Sequence, residues 1–142
     1  MIEVQATAEI SAAQHMVFDF VADIDQHHVW QPGVTRCRWT TESPLASGST
    51  YVKYLAPFGH PTPVEVVEFE PDYRIRLQSN GPLLRSETIR EVSRLSAGGS
   101  KVRTTVRAEP DGWLLVFAFV LRWLLRAQIR REALNLSRLL DD

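Results

Sequence analysis

Hydrophobic and polar residues alternate through most of the chain, which is the period-two pattern of strands with one face buried. The first alternating run, IEVQATAEI, predicts a strand that begins at residue 2. Six more strand-like runs follow: VTRCRWTTE, STYVKYLAP, TPVEVVEFE, YRIRLQSN, a long one from about Leu83 to Leu95, and KVRTTVRAE. The turn signals SPLASG, PFGHP, PD, NGP and SAGGS separate them, so the pattern predicts an antiparallel, hairpin-connected sheet of about seven strands.

Two short helical segments are predicted between the first strand and the second. Apolar residues at helical spacing predict a helix over about residues 12–24. These residues are Met16, Val17, Phe20, Val21 and Ile24. Ser11 is the expected N-cap, with Gln14 as its capping-box partner. Asp25 is expected to cap a second short turn, which Pro32-Gly33 ends.

A long helix is predicted at the end of the chain, from about Gly112 to Asp141. Its length would be about 45 Å, enough to cross the whole sheet. Placed about 100° apart, its apolar residues form two nearly opposite stripes. The first runs along the full helix: Leu114, Ala118, Leu121, Leu125, Ile129, Leu136 and Leu140. The second occupies the first half only: Trp113, Val116, Phe117, Val120, Trp123, Leu124 and Ala127.

The first stripe is enough to pack one sheet face, so the second needs another surface. The short helices and the PFGHPTP loop could cover it, or it could line a cavity while the first stripe packs elsewhere. A second copy of the chain could bind there instead, which would make a homodimer. Transient membrane contact is the third interpretation, with the arginines that follow near lipid headgroups. These are Arg122, Arg126, Arg130 and Arg131.

Stable membrane insertion is not expected, because the most apolar run has nine residues, Trp113–Leu121, and a span needs roughly 20. The 142 residues fit one domain covering positions 1–142. A formal net charge of −1 gives no basic field, so no nucleic-acid partner is expected. The single cysteine, Cys37, excludes an internal disulfide and a Cys-rich zinc site. We therefore expect a cytoplasmic protein, since the N-terminus also lacks the pattern of a signal peptide.

The segment DIDQHHVWQPGV concentrates polar residues before the Pro-Gly turn. His27 and His28 are adjacent, and adjacent residues on a helix point about 100° apart, so they do not readily share a metal ion. We expect no metal site and predict both histidines to be exposed or to cap the short helix, with His28 the candidate if one lies at a cavity mouth. Trp30 is expected to pack the junction between helix and sheet and to edge a cavity entrance.

On each strand, the more apolar alternate set should face the helix. That set comprises Cys37 and Trp39; Val52 and Tyr54; Val67 and Phe69; Ile75 and Leu77; and Val102, Thr104 and Val106. Glu65 and Glu87 share the parity of apolar neighbours, so either carboxylate, if inward, would have a raised pKa and could act as acid or base. Tyr54 offers an aromatic body with a hydroxyl for a ligand oxygen.

The opposite parity carries arginines, which we expect on a solvated outer face among acids of neighbouring strands: Arg36, Arg38, Arg74, Arg76, Arg103 and Arg107. The chain has no Gly-x-Ser-x-Gly, phosphate loop or dinucleotide fingerprint, so neither nucleophilic catalysis nor a cofactor is predicted.

The order of strand, two short helices, six strands and long C-terminal helix resembles the SRPBCC superfamily, also called START-like or helix-grip. The closest likeness is to its polyketide cyclase/dehydrase-type members. The matching segments are ATAEISAAQHMVFDFVADIDQHHVWQPGV, SGSTYV, VEVVEFEPDYRIRLQ and GGSKVRTTVRAE. The resemblance implies an α+β fold in which a curved antiparallel sheet grips the long helix, with an apolar cavity between them.

The resemblance also implies a hydrophobic small-molecule ligand, lipid- or polyketide-like. A cyclase/dehydrase-type enzyme using Tyr54, Glu65 or Glu87, and a partner-binding module using the long helix, are the alternatives. The family has no universal catalytic motif, so no catalytic residue is assigned. The candidate ligand-binding residues are Trp30, Trp39, Tyr54, Glu65, Phe69, Glu87, Phe117 and Leu121.

Overall fold

The computed structural model describes residues 1–41, 46–56, 59–80 and 84–140. The elements follow the predicted order: β1 (Ile2–Ile10), α1 (Gln14–Ala22), a 3₁₀ turn (Ile24–Gln26), α2 (His27–Trp30), β2 (Val34–Trp39), β3 (Thr50–Leu55), β4 (His60–Glu70), β5 (Arg74–Asn80), β6 (Leu84–Arg94), β7 (Ser100–Pro110), a 3₁₀ segment (Gly112–Phe117) and α3 (Ala118–Leu140). The predicted turns SPLASG, PFGHP and NGP lie partly outside the described residues.

The seven strands form one antiparallel sheet in the order β1-β7-β6-β5-β4-β3-β2. Strands β2 to β7 are sequential neighbours, and β1 pairs with β7 from Ile2 opposite Ala108 to Ile10 opposite Ser100. Register shifts after Val34 and after Val66 mark bulges, which bend a strand and increase its twist. The α+β class and the curved seven-stranded sheet with its long C-terminal helix are confirmed.

The short helices begin and end differently from the prediction. Helix α1 begins at Gln14, and its N-cap residue is Ala13 rather than Ser11. The Gln14 side chain donates instead to the carbonyls of Asp72, at 2.8 Å, and Val92, at 3.0 Å, so it ties the helix to the sheet. The cap of the 3₁₀ turn is Asp23, whose carboxylate accepts from the Asp25 N–H. Gly33, at φ +82°, makes the predicted turn into β2.

The first apolar stripe of the long helix packs on the sheet, as predicted. Ile129 and Leu136 are almost fully buried. One small core cluster joins this helix face to β1 and β7, and it consists of Ile2, Val4, Val106, Ala108 and Ile129, with Ala118, Leu121 and Leu125 packed against it. A larger cluster fills the other half of the fold beneath α1 and α2.

The second apolar stripe is exposed, and Leu115 and Phe119, which the prediction did not include, extend it. We call this surface the outer stripe; it consists of Trp113, Leu115, Val116, Phe117, Phe119, Val120, Trp123 and Leu124. Their exposed fractions run from 39% to 78%, so the short helices do not cover the stripe, which was one of the alternatives. The loop that was also expected to cover the stripe includes Pro57 and Phe58, which lie outside the described residues. Within the part of the chain that the structure describes, Gly112–Leu140 is one helix long and apolar enough to cross a membrane, by length and composition alone.

The convex face of the sheet carries the predicted arginines among acids. Arg74 pairs with Glu68 and with Glu91, in both cases at 3.2 Å, and Arg103 pairs with Glu91 at 3.2 Å. Exposed pairs of this kind contribute about 0–1 kcal/mol each. This face is therefore a solvated surface, and the site has to be sought on the concave side.

Candidate functional site

A cavity of about 470 Å³ lies between the concave face of the sheet and α3. Its walls come from β3 to β7, from α3 and from the turn Gln31–Gly33. The apolar part of the lining consists of Leu55, Ala56, Val64, Leu77, Leu84, Val106, Leu125 and Ile129. A volume of this size is within the range of small-molecule sites.

Neutral polar side chains also line the cavity, namely Gln31, Thr62, Ser79, Ser86, Thr88 and Gln128. One further polar group contains all the charged side chains of the described lining. It consists of Tyr51 and Lys53 on β3, Arg90 on β6 and Glu132 on α3. Strand alternation explains the three residues on strands. Tyr51 and Lys53 are two residues apart on β3 and face the same side, and Arg90 shares the side of Thr88 on β6. Glu132 lies three residues after Ile129 and four before Leu136, which puts it on the buried face of α3.

Arg90 and Glu132 form a buried ion pair. Nη2 of Arg90 donates to Oε2 of Glu132 at 3.1 Å, and the two side chains are 5% and 4% exposed. The guanidinium also lies 5.0 Å from the centre of the Trp30 ring, in cation–π geometry. Its Nε is buried and has no hydrogen-bond partner among the described residues. The pair thus leaves one donor of Arg90 unused.

Lys53 has neither an ion pair nor a hydrogen bond within the described residues. Burial is the main cause that lowers the pKa of its amine, and the nearby Arg90 lowers it further. Glu132 acts in the opposite direction but is already held by Arg90. The polar group therefore combines two basic side chains with one carboxylate. Burial also raises the pKa of Tyr51, so its phenol stays protonated.

His27 contradicts the prediction that both histidines are exposed or capping, since only 2% of it is exposed. Its Nε2 donates to the Val21 carbonyl at 3.0 Å, and its Nδ1 is buried without a partner in the described structure. Burial, and secondarily the charge of Arg90, lowers its pKa to about 3. The ring is therefore a neutral core residue. His28 is exposed, as predicted.

Trp30 packs at the junction between α2 and the sheet, as predicted. It is fully buried and meets the His27 ring edge-on, with 5.5 Å between ring centres. The Asn135 side-chain amide donates to the Trp30 carbonyl at 3.0 Å, which fixes α3 to the junction. Trp30 thus lies behind Arg90 and supports it from outside the cavity wall.

None of the eight predicted ligand-binding residues lines this cavity. Trp39 and Phe69 face inward as expected but belong to the core: Trp39 packs on Tyr51, with ring centres 5.8 Å apart, and Phe69 on Phe18, at 5.6 Å. Leu121 packs in the small cluster between α3 and the sheet, and Phe117 belongs to the outer stripe.

The three polar candidates lie on the convex face, so the inward orientation predicted for Tyr54 is wrong, and Glu65 and Glu87 do not meet the condition of facing inward. The Tyr54 ring lies under Arg36, with 4.3 Å from the guanidinium carbon to the ring centre. Glu65 is exposed. Glu87 faces two arginines of the outer layer: Arg76 at 3.9 Å and Arg107 at 3.8 Å.

Assigning the more apolar alternate residues of a strand to the inner face gave the wrong face where the cavity lining is polar. On β3 it selected Val52 and Tyr54, because Lys53 made the true inward set look like an outer face. On β4 the register shift after Val66 lets both Val66 and Phe69 face the core, although their spacing is odd. One signal was available in the sequence: Glu132 interrupts the first apolar stripe of the long helix, between Ile129 and Leu136.

The sequence profile of the family described as polyketide cyclase / dehydrase and lipid transport matches residues 1–141. Comparison with curated proteins gave no match. Among solved structures, a conserved protein from Geobacillus kaustophilus is 15% identical, with a TM-score of 0.77 over 98% of this chain and 95% of that one. A START superfamily protein from Mycobacterium smegmatis is 14% identical, with a TM-score of 0.74 over 99% and 97%.

The protein XoxI from Bacillus cereus is also 14% identical, with a TM-score of 0.77 over 100% of this chain and 97% of that one. At such identities the likeness to these structures establishes the fold alone. The cytoplasmic location, the homodimer and the roles of the eight predicted ligand-binding residues stay predictions.

Proposed function

We propose that this chain, which belongs to the polyketide cyclase/dehydrase and lipid transport family, binds a small amphipathic molecule with an acidic head group in the cavity between sheet and helix. Family and fold support hydrophobic ligand binding as the general activity. One observation supports the finer proposal: Lys53 and Arg90 bring donors without a described partner into a lining whose other side chains, apart from Glu132, are apolar or neutral.

The acidic head group follows from the unpaired donors. A buried polar group without a partner costs about 1–3 kcal/mol, and more if it is charged. Nε of Arg90 is such a group, and the half-buried Lys53 lies on the same cavity wall with no ion pair among the described residues. An anionic oxygen among Lys53, Arg90 and the Tyr51 hydroxyl would accept from all three. It would also offset the excess of positive charge that Glu132 leaves uncompensated.

The apolar body of the ligand follows from the rest of the lining. Leu77, Val106 and Ile129 face the same space from two strands and the helix. Each CH₂ group that leaves water there contributes about 0.8 kcal/mol. A chain or fused-ring body of modest size would fill such a space, and its head would lie against β3 and β6.

Binding is favoured over the catalytic alternative. Acid–base catalysis needs a side chain within hydrogen-bond reach of the substrate. Tyr54, Glu65 and Glu87 lie on the opposite face of the sheet. Glu132 is the carboxylate in the described lining, and its ion pair with Arg90 already engages it.

Native mass spectrometry of the protein purified from its source tests this proposal. We expect a bound species that is released on unfolding and is detected as an anion. Ser86→Trp places an indole in the cavity from the first part of β6 and should abolish the bound mass while circular dichroism stays unchanged. A folded wild type that carries no ligand and takes up no acidic amphiphile would refute the proposal.

A further inference from the structure

The outer stripe is the largest apolar feature that the cavity leaves unexplained. It contains four aromatic residues, and Trp113, Phe119 and Trp123 are 63%, 78% and 68% exposed. Trp113 and Phe117 pack edge-on against each other, so two of these aromatic side chains contact one another on the surface. Exposed aromatic residues in this density are typical of a binding surface. Tryptophan is also enriched where proteins meet the boundary between lipid and water.

The positive charge of the same helix indicates an anionic partner. Between Gly112 and Leu140 the sequence has five arginines and one glutamate, Glu132. That glutamate is buried and paired with Arg90, so the exposed charges of the helix are all positive. Arg122 and Arg126, four residues apart, lie on one side of the helix beside the outer stripe. Among the residues that the structure describes, the exposed carboxylate nearest to this helical segment in sequence is Asp111, just before it.

We infer that the outer stripe docks on a lipid bilayer that contains anionic headgroups, with α3 lying along the surface. The aromatic and aliphatic side chains would enter the boundary between headgroups and acyl chains, and the arginines would meet lipid phosphates. An exposed apolar face bordered by arginines is the pattern of interfacial helices. The docking does not depend on which molecule occupies the cavity.

The helix lies on the bilayer and does not span it, because its other face is already occupied. Leu121, Leu125 and Ile129 pack against β1 and β7. Crossing a bilayer would expose this core and would break the buried pair of Arg90 with Glu132. Breaking such a pair is strongly destabilising.

A second copy of the chain fits the stripe less well than a membrane. A two-fold interface presents the same surface from both subunits. Pairing two such helices would bring Arg122 and Arg126 of each copy to one interface, and this stretch of helix has no exposed carboxylate to neutralise them. Phosphate groups of a bilayer supply that negative charge.

Co-sedimentation with lipid vesicles tests the inference on the full chain. Vesicles of phosphatidylcholine alone are compared with vesicles of equal parts phosphatidylcholine and phosphatidylglycerol, at low and high salt. We expect strong binding to the anionic vesicles only, with a blue shift of tryptophan emission. Arg122→Gln with Arg126→Gln should weaken binding by about fivefold per arginine removed. Trp123→Glu should reduce it by at least tenfold.

Met16→Glu is the matched control, since Met16 is an exposed apolar residue of α1, outside the stripe, and is 59% exposed. It should bind vesicles like the wild type, and all variants should keep the same circular dichroism. A wild type that stays in the supernatant with anionic vesicles would overturn the inference. A wild-type dimer that binds no vesicles and becomes monomeric on Trp123→Glu in light scattering would identify the occupant as a second copy instead.

Discussion

Nη2 of Arg90 lies 3.1 Å from Oε2 of Glu132, and both side chains are almost fully buried between the sheet and α3. This contact joins the centre of β6 to the helix that closes the cavity. The contact also sets the charge balance of the cavity. Glu132, the carboxylate of the described lining, is paired with Arg90, so Lys53 has no counterion there.

Replacing one partner of the pair should destabilise the fold more than replacing both partners by apolar residues. Glu132→Gln leaves Arg90 buried without its countercharge, so the free energy of unfolding should fall by about 3–5 kcal/mol. The double variant Arg90→Met with Glu132→Leu should lose less, since neither charge remains. Urea denaturation of the three proteins measures this. A double variant that loses at least as much stability as Glu132→Gln would contradict the buried ion pair.

Lys53 should titrate below the ordinary lysine range, because burial and Arg90 both disfavour its charged form. The chain has two lysines, Lys53 and Lys101, so reductive ¹³C-methylation yields a readable NMR spectrum. Lys53→Met assigns the signal. A Lys53 resonance that titrates at or above 10.5 would contradict the placement of its amine beside Arg90.

His27 should make the protein less stable in acid. Its pKa is about 3 in the folded state against an ordinary 6.5, so below 6.5 the unfolded chain binds the proton first. The stability due to neutral His27 is complete above 6.5 and is lost as the pH falls toward 3. Each pH unit within that window costs up to about 1.4 kcal/mol.

His27→Phe removes this titration while keeping an aromatic ring, although it loses the hydrogen bond to Val21. Between about pH 7.5 and pH 5, the wild type should lose about 2 kcal/mol more stability than the variant. The control is His28→Phe, at the exposed neighbouring position, and it should follow the wild type. Equal acid sensitivity of the wild type and His27→Phe would argue against a neutral buried ring.

Variants of the convex face should leave ligand binding intact. Tyr54→Phe, Glu65→Gln and Glu87→Gln change groups that lie on the other side of the sheet from the cavity. Their affinities for an acidic amphiphile should stay within about twofold of the wild type, because no ligand contact is lost. Ser86→Trp should abolish binding in the same calorimetric titration. A tenfold loss in any convex-face variant would restore the catalytic or binding role that the sequence suggested for it.

The regular parts of the fold could be predicted because periodicity reports burial directly. The spacing of Leu121, Ile129 and Leu136 on the long helix identified its packed face, and alternation identified the seven strands. Both patterns follow from the geometry of the elements themselves.

The site was harder to predict, because its polar residues break those patterns. Lys53 faces inward at a position where apolarity favoured the opposite parity, and the sequence predicted no inward set for the strand that carries Arg90. The burial of His27 depends on Tyr51 of β3, whose ring centre lies 6.1 Å from that of His27 only in the tertiary structure. Glu132 in an apolar helical stripe was the one local signal that pointed to the polar group.

The affinity difference between decanoate and 1-decanol, measured by calorimetry in the wild type and in Lys53→Met, tests the central claim most directly. The two ligands share an apolar chain and differ at the head. The wild type should bind decanoate at least about tenfold more tightly, since a hydrogen bond to a charged group contributes about 1.5–3 kcal/mol. Lys53→Met should lose most of that preference while binding 1-decanol unchanged. Equal affinity of the wild type for the acid and the alcohol would contradict the account.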